Sequence, residues 1–216
     1  MTEMMQKICP QDEFCGGCIY QGVAYEEQLK AKEAEIRALL KKNQVEPDRI
    51  DPIEGCLSQY AYRNKMEYTF GDLVKDGEMT LGMHMKGKFM SIITVDQCQL
   101  VHPDFNKILR ATLDFVIQKG YPKYNKKSHA GLMRNLIIRR GVNTSEILVN
   151  IVTASDEASG LVFDSEAYAD VIRGLDLDNT LVGVLRTNCE TLADAVIPDS
   201  TEIIWGRDYY MEELLG

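Results

Sequence analysis

The sequence predicts an α+β protein, and three observations carry that prediction. Seven short runs read as strands: KMEYTF from Lys65, MTLGMHM from Met79, FMSIITV from Phe89, NLIIRR from Asn135, EILVNIV from Glu146, TLVGVLRTN from Thr180 and EIIW from Glu202. Stretches with a helical period interrupt these runs without a regular strand–helix–strand alternation. No G-x-G-x-x-G loop follows a strand, and no Walker-type loop is present. A small N-terminal module followed by a mainly antiparallel sheet with flanking helices is the expected architecture.

Each element has its own local reason. The first 22 or so residues are rich in Cys and Gly and lack apolar periodicity, so something other than a core must hold them. Tyr25, Leu29, Ile36, Leu39 and Leu40 recur at helical spacing with charges between them, which predicts an amphipathic helix over 24–42. The turn-rich EPDRIDPIEG separates a module of residues 1–50 from a domain of residues 51–216. Asp76-Gly77 and Lys86-Gly87-Lys88 are tight-turn signals that join the first three strands into a meander. Phe105, Ile108, Leu109, Leu113, Val116 and Ile117 place a helix between His102 and Gly120. GVNTS reads as a hairpin-like loop between the next two strands, and a further helix is expected over Ser165–Arg173.

Composition narrows the class. The chain has 216 residues, 45% of them apolar and 26% charged, with a formal net charge of −9. That content supports a core and excludes disordered and fibrous classes. No stretch of 18 apolar residues occurs, and the N-terminus lacks the apolar segment of a secretory signal, so a cytoplasmic, non-membrane monomer is expected. The acidity is unevenly spread. Between Lys119 and Ser145 stand seven basic residues and no acidic one, a segregation that can build a local positive surface.

Cysteine supplies the strongest chemical signal. Cys9-x5-Cys15-Gly16-Gly17-Cys18 puts three thiols within ten residues, and clustered cysteines in a reducing compartment bind metal more readily than they pair. Glycines between the ligands let the backbone curl tightly. A closed tetrahedral zinc site and a [4Fe–4S] cube both need a fourth ligand. Cys98 is the candidate, because it follows a strand end that can meet a neighbouring loop. Zinc, an iron–sulfur cluster and unliganded thiols all stay open on spacing alone. Cys56 and Cys189 stand by themselves, and a lone cysteine is usually a small buried hydrophobe.

Taken with their context, these residues resemble the N-terminal portion of RNA uracil-C5 methyltransferases that carry a [4Fe–4S] cluster and form 5-methyluridine in 23S ribosomal or transfer RNA. The resemblance rests on C-x5-C-G-G-C followed by Ile19-Tyr20-Gln21, then Tyr62-Arg63-Asn64-Lys65-Met66, Asp96-Gln97-Cys98 with His102-Pro103, and Gly131-Leu132-Met133-Arg134-Asn135-Leu136. Ile203-Ile204-Trp205-Gly206 and Leu214-Leu215-Gly216 complete it. It implies that Cys9, Cys15, Cys18 and Cys98 hold a structural [4Fe–4S] cluster. It also implies an RNA substrate, ribosomal ahead of transfer RNA, and S-adenosylmethionine as methyl donor of the whole enzyme. Members of that family carry a Rossmann-like cofactor domain with a cysteine nucleophile and a carboxylate base. None of those motifs is evident here, so the chain is expected to lack that domain, to hold no catalytic or methyl-donor site, and to be inactive alone. RNA contacts are expected from Arg63, Lys65, Lys86, Lys88, Phe89, Arg134 and Arg139, with Tyr60, Tyr62 and Tyr68 read as packing residues. The alternative is a zinc- or iron–sulfur-stabilised module without catalysis, serving RNA binding or electron transfer.

Overall fold

A computed structural model describes residues 8–192 and 195–215; Gly216 of the last family-like segment lies outside them. The elements in chain order are α1 (Tyr25–Lys42), β1 (Lys65–Asp72), β2 (Met79–Met85), β3 (Lys88–Thr94), α2 (Pro103–Lys119), β4 (Met133–Gly141), β5 (Glu146–Thr153), α3 (Asp156–Ser159), α4 (Ser165–Arg173), β6 (Thr180–Asn188) and β7 (Ser200–Gly206). All seven strands join one sheet in the order β3-β2-β1-β4-β5-β6-β7.

The sheet is mixed, which corrects the expected architecture. Its pairs are antiparallel except β5–β6, which run parallel in the register Val149↔Val184 and Ile151↔Arg186. A parallel pair needs a crossover connection. Here α3 and α4 provide it, so one strand–helix–strand unit is built into the sheet. The sequence places the helix over Ser165–Arg173 between these two strands; what it leaves open is strand direction, since a run's alternation reads the same whichever way it pairs.

Strand alternation divides the sheet into two unlike faces. Met66, Tyr68 and Phe70 of β1 are buried with Leu136 and Ile138 of β4, Val149 and Ile151 of β5, and Val184 of β6. Against this face pack Phe105, Ile108, Leu109, Leu113 and Val116 of α2 and Tyr168, Ala169 and Ile172 of α4. Each fully buried side chain of this size is worth about 1.5–3 kcal/mol of gross transfer free energy. The other face carries Lys65, Glu67 and Thr69 of β1 beside Arg139, Ile137 and Asn135 of β4. A small second cluster of Ile137, Val152 and Cys189 lies there, with Val196 packed against it.

α2 is fixed at both ends. Pro103 occupies its first turn, the His102 ring accepts a hydrogen bond from the Asp104 amide, and Gly120 ends the helix at φ 68°. The Asp104 carboxylate is fully buried. It accepts from the amides of Asp178 and Asn179 and from Asn179 Nδ2 at 3.1, 2.8 and 2.6 Å, tying the start of α2 to the approach to β6. α1 behaves differently: it contributes no buried residue, and Ile36 and Leu39 stay more than half exposed. Its apolar stripe forms the helix the periodicity predicts but does not enter the core.

Candidate functional site

The N-terminal loop docks on the β2–β3 hairpin. The Gly16 amide donates to the His84 carbonyl at 2.9 Å, the Lys86 amide donates to the Phe14 carbonyl at 2.8 Å, and Cys15 forms an isolated bridge with Met85. A Cβ on Gly16 would stand 2.9 Å from the His84 oxygen, so glycine is what permits this approach. Lys86 Nζ caps the Asp12 carbonyl at 2.6 Å. The loop thus has backbone anchors besides its cysteines.

Those anchors bring Cys9, Cys15 and Cys18 to Cys98. All four line one small cavity with Gln11, Asp12, Gln21, Val95, Gln99 and Leu100. Cys98 is positioned by α2: its amide donates to Asn106 Oδ1 at 3.2 Å, and Asn106 Nδ2 donates to its carbonyl at 3.1 Å. The Gly17 amide donates to Cys15 Sγ at 3.3 Å. Burial raises the Cys18 thiol above its ordinary pKa, and the nearby Cys15, Cys98 and Cys9 sulfurs raise it further while the Arg63 guanidinium opposes them. Cys98 is raised by burial in the same way. No three of the four sulfurs lie within 4.8 Å of one another among the described residues. Cys56 is exposed, contrary to its reading as a buried hydrophobe, whereas Cys189 is fully buried.

The residues expected at RNA are dispersed. Lys65 and Arg139 face each other across β1 and β4 on the side of the sheet away from α2 and α4. They border a cleft of about 620 Å³ that also takes in Asn150, Thr187, Tyr209 and Tyr210. Lys65 is paired with Glu67 at 3.4 Å. Arg63 is half-buried beside the cysteines. Lys86 is engaged with Asp12, and Lys88 is exposed at the hairpin. Phe89 is exposed and stacks on His84 at 4.4 Å between ring centroids. Arg134 is buried, donating to the Thr191 carbonyl at 2.7 Å with its guanidinium 4.2 Å from the Tyr124 ring. Nor does the acid-free stretch form one positive patch, since Lys119 pairs with Asp164 and Lys123 with Asp72. Folding brings acids from elsewhere in the chain to these cations.

Three contributions escaped the sequence: the close contact at Gly16, the Asn106 clamp on Cys98, and a cavity beside the cysteines walled partly by α1. The last had a signal. Tyr25, Gln28 and Lys32 fall at helical spacing on one face of α1 and line that cavity together.

No family model matches the chain. It is 45% identical over 208 residues to a Clostridium tetani protein named an uncharacterized RNA methyltransferase, a match over 96% of this chain and 45% of the relative. A Caldanaerobacter subterraneus protein of the same description is 41% identical over 98% of this chain and 46% of its own length. One from Thermosynechococcus vestitus is 30% identical over 96% and 44%. The chain therefore spans about half the length of the curated relatives it matches. Among solved structures, the fold is similar to that of a Pyrococcus abyssi tRNA (uracil-54, C5)-methyltransferase in complex with S-adenosyl-L-homocysteine. The TM-score is 0.67 at 21% identity, covering 93% of this chain and 43% of that one.

These findings overturn two expectations. The first holds that a cofactor-binding methyltransferase fold is absent from this chain. The second holds that the chain lacks a catalytic domain and is therefore inactive. Both give way to a match that runs over 93% of the chain with a methyltransferase fold, and over 96–98% of it with relatives named RNA methyltransferase. The physical reason lies in the donor molecule. A glycine-rich loop serves to cradle phosphates, and S-adenosylmethionine has none, so the missing loop carries no weight. Over nearly its whole length this chain is homologous to RNA methyltransferases.

Proposed function

We propose that this chain belongs to an S-adenosylmethionine-dependent RNA (uracil-C5) methyltransferase, with Cys9, Cys15, Cys18 and Cys98 holding a structural [4Fe–4S] cluster. In this reading residues 1–50 carry three of the cluster's ligands, and residues 51–216 lend Cys98 and contribute to RNA binding. The observation that carries it is the convergence of three cysteines of the loop and one from the end of the sheet on a single cavity. A ZnS4 tetrahedron with Zn–S bonds near 2.3 Å would draw its sulfurs to roughly 3.8 Å from one another. A cube asks for a different arrangement, in which each iron takes one cysteine. Bound there, a cluster would supply a covalent cross-link between loop and sheet.

The chemistry asks the protein to hold an RNA loop while one uracil leaves its stack. Arg63, Lys65, Lys88, Phe89 and Arg139 are the contacts we propose; Lys86 and Arg134 support the fold around them. We favour ribosomal over transfer RNA on the sequence resemblance, while the solved relative's name speaks for transfer RNA. The test is methyl transfer from labelled S-adenosylmethionine by anaerobically purified protein to 23S ribosomal RNA and to transfer RNA, with nucleoside analysis. 5-Methyluridine in ribosomal RNA is expected; label in transfer RNA alone would reassign the substrate, and a methylated base other than uracil would refute the reaction. Iron and acid-labile sulfide in the wild type, both lost in Cys98→Ser, test the cluster.

A further inference from the structure

A cavity of about 480 Å³ lies beside the cysteine site, between the N-terminal loop, α1 and residues 56–63. Its size falls in the range that encloses small organic groups. Four phenol rings line it, from Tyr20, Tyr25, Tyr60 and Tyr62, together with two cations, Lys32 and Arg63, and no carboxylate. The expectation that Tyr60 and Tyr62 are packing residues does not describe them; Tyr68 alone of the three enters the core. Lys32 Nζ sits 5.2 Å from the centre of the Tyr20 ring, which holds its charge at the cavity wall. Two polar groups of the lining lack partners: Gln21 Nε2 and the Tyr60 hydroxyl are both buried without a hydrogen bond. Such groups cost free energy unless something pairs with them.

Aromatic faces, cations without acids, and an unpaired amide and hydroxyl together describe one ligand class. A nucleobase offers a flat ring for stacking and edge acceptors for N–H and O–H donors, and its phosphate suits Lys and Arg. We propose that this cavity receives one unstacked nucleotide of single-stranded RNA, its base among the tyrosine rings, its phosphate at Lys32 and Arg63, and its edge toward Gln21 and Tyr60, whose buried amide and hydroxyl would turn into the cavity to pair with it. The proposal rests on the RNA methyltransferase reading and adds to it a second anchoring point, separate from the open face that carries Lys65 and Arg139. The cysteine loop gains a role as well. Cys18 and Gln21 belong to both cavities, so a cross-link at the cysteines would fix the wall on which the base rests.

A short, fluorescein-labelled oligoribonucleotide containing 5-bromouridine tests this by photo-crosslinking, with mapping of the attached peptides, and by anisotropy titration. Crosslinks should map to peptides carrying Tyr20, Tyr60 or Tyr62. Tyr20→Ala and Tyr62→Ala should each weaken binding about tenfold, and Tyr20→Phe, which keeps the ring, should bind within about twofold of wild type. Iron content is measured in every variant, and Tyr62→Ala, remote from the cysteine cavity in its lining, guards against loss of binding through loss of the cluster. If the RNA binds but crosslinks only to the Lys65–Arg139 face and both alanine variants bind normally, the nucleotide site is refuted while the methyltransferase reading stands. If no RNA binds at low salt, both fall.

Discussion

Asp104 shows how one residue can join distant parts of the chain. Burial alone would push its carboxyl up, yet hydrogen bonds from Asn179 and Asp178 outweigh that and hold it below the usual carboxylate range. A carboxyl lowered in the folded state stabilises above the pKa of the unfolded group, about 4, and the contribution is lost as pH falls through the folded value. Urea denaturation across the acid range should therefore give a steeper loss for wild type than for Asp104→Asn. Asp104→Ala should cost about 3 kcal/mol or more at neutral pH, since three donors lose their acceptor. Equal acid limbs for wild type and Asp104→Asn would show that another group governs acid unfolding.

Among the elements, the cysteine loop and the β2–β3 hairpin form a joint whose tolerance is set at Gly16. Adding a methyl there meets the His84 carbonyl, a backbone atom that cannot swing aside. Gly16→Ala should lower iron occupancy severalfold while leaving the main unfolding transition nearly unchanged, because the loop supplies little of the apolar core. Iron analysis beside thermal denaturation checks both halves. α2 is the opposite case, an element whose removal reaches everything. Leu109 is fully buried at its centre, and Leu109→Ala should cost about 3 kcal/mol in urea unfolding.

For the molecule as a whole, charge separates the two faces of function. A net charge of −9 repels RNA at long range, so binding must come from local cations and must fall steeply with salt. Arg139→Ala should weaken RNA binding about equally for all sequences and lower the slope of log affinity against log salt by about one. An unchanged slope would remove the open face from the RNA contacts.

Much of the fold was legible because periodicity is a local property. The apolar spacing in 102–120 predicted α2 nearly to the residue, the helix expected over 165–173 is α4, and the alternating run KMEYTF is β1. The cysteine set was legible in part for the same reason, since three thiols lie within ten residues. Three-dimensional structure alone decided the rest. Whether β5 and β6 run parallel depends on how the connection through α3 and α4 carries the chain back across the sheet, which no local period records. Whether a lysine faces solvent depends on acids far away in sequence, as Asp72 does for Lys123 and Asp164 for Lys119. The cavity beside the cysteines depends on three segments meeting, and two of its tyrosines, Tyr60 and Tyr62, taken singly in the sequence, read as ordinary packing. Local spacing dictates which element forms; only the long-range meeting of elements decides what a side chain faces, and so what it can bind.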